Sequence, residues 1–389
     1  MVLLSVTPVS RASGPSPSTF PLISVAIREA AGSGRAARLT ITAKKKACID
    51  GVGEELNKIA SLNLDSAPAR RIVRSAFKDV QLQLDHCLFK MAPHGIRTNE
   101  WYELNSKSLE VFTKSWMPKH GVELKGALFF CHGYGDTCTF FFEGIARYIA
   151  ASGYAVYAMD YPGFGLSDGL HGYIPSFDGL VDMVSENYSR IKARPELKGL
   201  PRFILGQSMG GAVTIKAHLK QPNAWDGVIL VAPMCKIADD IVPSESVIKA
   251  MALLSKIMPQ AKLFPTKDID ELAFRDLQKR KLAVYNVLCY NDKTRLGTAM
   301  ECFKATNDIE RQVARVKAPL LIVHGASDKI TDPDVSKFLY ENSSSADKTL
   351  NLYDQGFHCI LEGEPDDRIF QVLDDIISWL DSRIDRDKS

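Results

Sequence analysis

The segment Phe203-Ile204-Leu205-Gly206-Gln207-Ser208-Met209-Gly210-Gly211-Ala212-Val213 constrains the fold more than any other stretch. Three apolar residues lead into Gly206-x-Ser208-x-Gly210, and helical spacing follows through His218. The pattern predicts a buried strand, a sharp turn and a helix. Glycines on both sides of the serine let strand and helix approach where a larger residue would collide. Ser208 is thereby lifted above the sheet, over the positive end of the new helix. A serine hydroxyl is a weak nucleophile by itself, so its partners must come from elsewhere in the chain.

Composition narrows the class. The 389 residues are 46% hydrophobic and 24% charged, which suits one large globular domain with additions. Lysine plus arginine total 48 against 46 acids, a net charge of +2, so the clustered basic excess of a nucleic-acid binder is absent. The eight cysteines are scattered with no C-x-x-C pair, which predicts reduced thiols in an intracellular compartment and no structural zinc. No apolar run approaches the roughly 18 residues needed to span a bilayer.

Residues 1–49 differ from the rest. They are rich in Ser, Thr, Ala, Pro and Gly, and set Arg11, Arg28, Arg35, Arg38, Lys44, Lys45 and Lys46 against the single acid Glu29. This is the composition of an organelle transit peptide. A chloroplast (plastid) destination is preferred for its hydroxylated residues and uncharged first ten residues, with mitochondrion or cytoplasm as alternatives.

A helical extension is expected over 50–98. In it Arg70, Arg71 and Arg74 form a short basic face, read as solvated helix surface. Asn99 to Pro118 reads as a hairpin entering the edge of the main sheet. Gly126 to Cys131 is a continuous apolar run, as in a strand covered on both faces. It ends in His132-Gly133-Tyr134-Gly135, a loop whose glycines let backbone approach a substrate. Acyl transfer to a serine needs two backbone N–H donors for the developing oxyanion. Tyr134 and Met209, the residue after the serine, stand at the expected positions. His132 is read as ordering this loop.

Pro162-Gly163-Phe164-Gly165-Leu166-Ser167-Asp168-Gly169 is not a dinucleotide loop, because Asp168 occupies the place of the third glycine. It is read as a rigid loop beside the site. Ser176 is expected to cap a helix running to Lys192. Asp226 to Met234 is another buried strand, so strands and helices alternate from Gly126 onward, as in a parallel sheet. Residues 235–317 break the rhythm. They contain no clear strand and an amphipathic helix bearing Val247, Ile248, Met251, Leu254, Ile257 and Met258. The segment reads as a helical cap whose apolar residues mostly meet core or sheet. A minority role in lining substrate or touching membrane is open to its Met-bearing helix.

The sheet resumes at Ala318–Gly325, with Asp328 after it, and a further strand leads to Gly356-Phe357-His358. The chain order serine, acid, histidine eliminates candidates. Of the eight histidines, only His358 follows Asp328. Asp332 and Asp334 are the alternative acids, Asp332 standing before a proline as a helix cap. The reading is catalytic Ser208, Asp328 and His358, with Tyr134 and Met209 as the oxyanion donors. An amphipathic helix from Asp366 to Leu380 should cover the sheet beside His358.

His132-Gly133-Tyr134-Gly135, Gly206-Gln207-Ser208-Met209-Gly210-Gly211, His324-Gly325-x-x-Asp328 and Gly356-Phe357-His358 together resemble the monoacylglycerol lipase-like family of the α/β-hydrolases. The plant lysophospholipase-like and caffeoylshikimate esterase-like branch is nearest in style, His171 to Asp178 included. The resemblance implies an α/β-hydrolase fold: a mostly parallel central sheet with helices on both faces, its core in two parts (99–234 and 318–389) around the inserted cap. It implies a monoglyceride or related small-molecule ester as substrate, with a lysolipid as a further candidate, a cap over an apolar tunnel, and no cofactor; no metal is expected, and peripheral membrane contact through the cap is the minority expectation drawn from its Met-bearing helix. A phenolic esterase, an acyltransferase and a non-enzymatic ligand receptor are the alternatives. Gln207 departs from the pattern, since relatives often carry His or Glu there.

Overall fold

The computed structural model describes residues 49–238, 242–264 and 269–384. The expected transit peptide, residues 1–49, lies outside the described residues except for Ile49.

The extension forms three helices, α1 (Glu54–Ala60), α2 (Ala67–Leu82) and α3 (Cys87–Lys90). Arg70 corrects the expectation of a solvated basic face. It shares the buried stripe of α2 with Val73, Phe77 and Gln81 and is fully buried. Its guanidinium donates to the carbonyls of Leu64, Gly165, Ser167 and Gly169. Burial lowers its pKa to about 10. A planar, five-donor fork is suited to gathering several carbonyls at once, and Arg70 thereby bolts α2 to the 162–169 loop. Arg70→Met should destabilise the fold by about 3 kcal/mol, because buried carbonyls lose their donor. Urea unfolding checks this, and Arg70→Lys should recover only part, since an ammonium cannot span the same acceptors.

The sheet follows. Its elements are β1 (Arg97–Leu104), β2 (Glu110–Met117), β3 (Gly126–Cys131), α4 (Phe141–Ala151), β4 (Tyr154–Met159), α5 (Phe177–Lys192), β5 (Arg202–Gln207), α6 (Met209–Lys220) and β6 (Gly227–Val231). The segment read as a cap supplies α7 (Glu245–Ile257), β7 (Lys262–Phe264), α8 (Ile269–Ala273), α9 (Leu277–Leu282), β8 (Thr294–Arg295) and α10 (Leu296–Gln312). The chain ends with β9 (Leu320–Gly325), α11 (Pro333–Asn342), β10 (Lys348–Tyr353) and α12 (Asp366–Ile384). Ser176 caps α5 as expected, its hydroxyl accepting from Gly179 N at 3.1 Å.

Eight strands lie in the order β1-β2-β4-β3-β5-β6-β9-β10. β1 and β2 form the expected hairpin and enter at one edge, antiparallel to each other, with β2 also antiparallel to β4. The remaining pairs are parallel. Leu128 and Phe130 of β3 belong to one apolar cluster, while Ala127, Phe129 and Cys131 belong to another. Helices cover both faces, which is why these strands read as unbroken apolar runs. From β3 the chain winds outward to β4, then crosses back to β5 on β3's other side. The carboxyl ends of β3 and β5 therefore border the crevice where the winding reverses. Cys131 pairs with Gly206 there, so the glycine loop and Ser208 leave the sheet side by side.

Two features of residues 235–317 differ from expectation. β7 and β8 pair as a small antiparallel sheet. Among its described residues α7 buries none: Leu253 is 62% and Ile257 69% exposed. Its apolar side chains thus face outward more than they meet core, with Met251 packed against Leu296 and Ala299. Periodicity reveals an apolar face but not what covers it.

Candidate active site

Ser208 adopts φ 53°, ψ −120°, a left-handed conformation that side chains rarely tolerate. The surrounding backbone holds it there. Ser208 N donates to Val231 O at 3.0 Å, and Ser208 O accepts from Gly211 N and Met234 N, both at 2.9 Å. A β-carbon on Gly206 would strike Gly210, and one on Gly210 would strike the carbonyl of Cys131. The two glycines are therefore required by packing, as the turn pattern predicted.

His358 Nε2 lies 3.0 Å from Ser208 Oγ, and His358 Nδ1 lies 2.7 Å from Asp328 Oδ2. All three residues are buried. The carboxylate accepts a hydrogen bond from Nδ1–H, which leaves Nε2 as the acceptor for the serine hydroxyl. Asp328 also accepts from Ile330 N at 2.7 Å and Thr331 N at 3.1 Å, both on Oδ1. Burial alone would raise its pKa. The His358 and His324 imidazoles outweigh that and hold it well below the usual carboxylate range. Asp332 is indeed a helix cap, its carboxylate accepting from Asp334 N at 2.8 Å, and neither it nor Asp334 bonds to His358.

Two further residues join this chain, neither of them given a role in the site by the sequence. His324 Nε2 stands 2.9 Å from both Asp328 Oδ2 and Thr331 O, two acceptors, so that nitrogen carries the proton. Its Nδ1 then accepts from Ser336 Oγ at 2.7 Å. Thr331 Oγ1 lies 2.8 Å from Asp328 Oδ2 and 3.1 Å from His358 Nδ1. The available signal was position: His324 stands at the end of a buried strand, four residues before Asp328.

The glycine loop is ordered by its histidine, as expected. His132 Nε2 accepts from Tyr161 N at 3.2 Å, so Nδ1–H donates to Gly133 O at 2.8 Å. Burial lowers its pKa, in keeping with a neutral ring that accepts as well as donates. Asp160 ties this loop to the 162–169 loop, its carboxylate accepting from Cys138 N and Leu166 N, each at 2.8 Å. Among the described residues the backbone N–H groups of Tyr134 and Met209 have no protein acceptor.

The segment read as a cap touches both sides of the site. Tyr290 N donates to Gly135 O at 2.8 Å, and Asn286 Nδ2 to Asp136 Oδ1 at 2.9 Å. On the other side Cys359 N donates to Ala273 O at 3.0 Å. Fully buried Glu364 accepts from Phe357 N at 2.7 Å and pairs with Arg275 at 3.2 Å. The turn carrying His358 is thus braced from above.

A doubly wound, mostly parallel sheet with a serine on a strained strand-to-helix turn, and an imidazole and carboxylate in line with it, defines an α/β-hydrolase. Residues 122–366 match the family model described as Serine aminopeptidase, S33 (Hydrolase_4), and the chain belongs to that family. It is 33% identical over 291 residues to caffeoylshikimate esterase of Arabidopsis thaliana, covering 75% of this chain and 87% of the relative. It is 28% identical over 285 residues to monoglyceride lipase of Rattus norvegicus, covering 72% and 90%. The solved structure of a soluble variant of Saccharomyces cerevisiae monoglyceride lipase superposes with a TM-score of 0.62 at 23% identity, covering 73% of this chain and 94% of that one, and shares its fold.

Proposed function

We propose that this protein is a serine hydrolase of carboxylic esters, acting on monoacylglycerols or lysolipids through Ser208, His358 and Asp328. The observation that carries the reading is the hydrogen-bonded chain from Ser208 Oγ through His358 to Asp328, at 3.0 and 2.7 Å. Ser208 Oγ attacks the acyl carbon while its proton passes to His358 Nε2. Asp328 fixes the ring's tautomer and stabilises the imidazolium. The Tyr134 and Met209 amides receive the oxyanion, each contributing about 3 kcal/mol. His358 returns the proton to the departing alcohol, and water, activated by the same imidazole, releases the acid from the acyl-serine. The monoglyceride lipases among the relatives support the lipid substrate, although the family's description names a peptidase. Stoichiometric labelling by a fluorophosphonate, together with release of fatty acid from monoacylglycerol, tests the reading. A protein that neither labels nor hydrolyses any ester sinks it.

The 33% identity to a caffeoylshikimate esterase favours a second reading, a phenolic-ester hydrolase using the same residues. Comparing kcat/KM for hydroxycinnamoyl esters with that for monoacylglycerols separates the two.

The outward apolar face of α7 supports docking on a lipid surface. Leu253 and Ile257, one turn apart and both exposed, would enter the acyl boundary. Replacing both by glutamate should reduce sedimentation with phosphatidylcholine vesicles at least tenfold, each lost apolar side chain removing about 1.5 kcal/mol or more. Hydrolysis of a water-soluble short-chain ester should persist. Unchanged sedimentation would remove α7 from the account.

A further inference from the structure

Beside Ser208 lies a polar group that the proposed mechanism does not use. Gln207 Nε2 donates to Glu362 Oε1 at 2.7 Å, across 155 positions of sequence. Both side chains are more than nine-tenths buried. Gln207 is the residue before Ser208, and Glu362 belongs to the turn that begins at His358, its N–H donating to Cys359 O at 3.2 Å. Asp136, at the end of the glycine loop, is near enough to Glu362 to help burial raise that carboxyl's pKa to about 7. All three motifs surrounding the serine therefore contribute one member each to this cluster.

The cluster is incomplete. Among the described residues Gln207 Oε1 accepts no hydrogen bond, yet it is not sealed from solvent. Glu362 Oε2 is sealed, and the Cys359 thiol beside the carboxyl serves as a weak donor that partly offsets the effect of burial. A nearly buried amide oxygen that solvent still reaches and no protein group uses is free to take a donor from a bound molecule. With Glu362 ionised, Nε2 is committed to its carboxylate, and Oε1 is left as an acceptor that solvent reaches.

Which half of an ester would meet it follows from the chemistry of departure. The leaving oxygen must receive its proton from His358 Nε2, so the alcohol half lies toward the His358 turn. Glu362 is part of that turn. Resting on the hydrolase reading above, we propose that Gln207 Oε1 accepts a hydrogen bond from a neutral hydroxyl on the alcohol half of the substrate, with Glu362 as the residue that sets the amide's orientation. Glycerol and a cyclic polyol both carry such a hydroxyl beside the ester. A phosphate or carboxylate head group does not suit the site, because it brings acceptors to an acceptor and a negative charge toward Glu362 and Asp136, which narrows the reading above to monoacylglycerols and other neutral esters and sets lysophospholipids aside.

The test compares butanoylglycerol, a butanoyl ester of a neutral cyclic polyol, methyl butanoate and butanoyl glycerol phosphate on the full chain. The wild type should favour the two hydroxylated neutral esters over the methyl and phosphorylated ones by about tenfold or more in kcat/KM. The relative rates of the first two tell glycerol from ring. Gln207→Leu should lower the ratio of butanoylglycerol to methyl butanoate by about tenfold, through KM more than kcat. Glu362→Leu should lower the same ratio less, and Glu362→Gln, which keeps an acceptor for Gln207, should hold it. A ratio unchanged in Gln207→Leu, or an equal fall for both esters as a purely structural role would give, overturns the proposal and leaves the hydrolase reading intact. A wild type that resists fluorophosphonate and hydrolyses none of the four overturns both.

Discussion

Ser208→Ala should lower kcat for ester hydrolysis by about 10⁶-fold and abolish labelling by a fluorophosphonate. The loss is large because nucleophile and base act as one unit, so His358 without the hydroxyl has nothing to activate. Residual turnover should be that of water in a site that still offers the Tyr134 and Met209 amides. The variant should fold. Position 208 already carries a β-carbon at φ 53°, and alanine introduces no new conflict there. Three backbone hydrogen bonds hold the turn without help from the side chain. Intact mass after treatment reads the result directly, as one adduct on the wild type and none on the variant, with matching circular dichroism. Full labelling of the variant would move the nucleophile to another residue.

Asp328→Asn should cost about 10⁴-fold in kcat, since an amide directs the imidazole into the wrong tautomer. The local geometry makes a further demand. In the wild type, Oδ2 receives proton-bearing nitrogens from both His358 and His324. Asparagine can still accept the Ile330 and Thr331 amides with its oxygen, but then turns an NH₂ toward both rings. Each histidine would have to give up its present tautomer, and a loss of stability of about 1–3 kcal/mol should accompany the loss of activity. The pH dependence gives a separate check. Asp328 is depressed in the folded protein, so its contribution is present above the unfolded value of about 4 and fades as pH falls through the lower folded value. The stability gap between wild type and variant should therefore be steady above pH ~4 and shrink in stronger acid. A gap unaffected by acid would mean that the aspartate is not ionised in the native site.

Much of the site could be read before any coordinates. The Gly-x-Ser-x-Gly turn, the order of serine, acid and histidine, and the end-of-strand positions of Asp328 and His358 are local or ordinal properties. Elimination among eight histidines left His358, the ring that meets Ser208 and Asp328, because chain order is itself a constraint of this winding. His324 escaped for the same reason: lying before the acid, it was set aside as a base, and its service to Asp328 is a matter of contact. Arg70 shows the opposite error. Its neighbours Arg71 and Arg74 suggested a solvated face, although its spacing with Val73 and Phe77 placed it on the buried stripe.

By itself, then, the chain's sequence determined where backbone must turn sharply, which runs must be covered on both faces, and which side chains end on the same edge of the sheet. These follow from sterics and periodicity within a few residues. Tertiary structure alone decided that Arg70 gathers four carbonyls, that α7 turns its apolar side outward, and that Gln207 is locked to a carboxylate 155 residues away. Each depends on which distant surface arrives opposite a given face, and near neighbours in the chain carry no force that sets that.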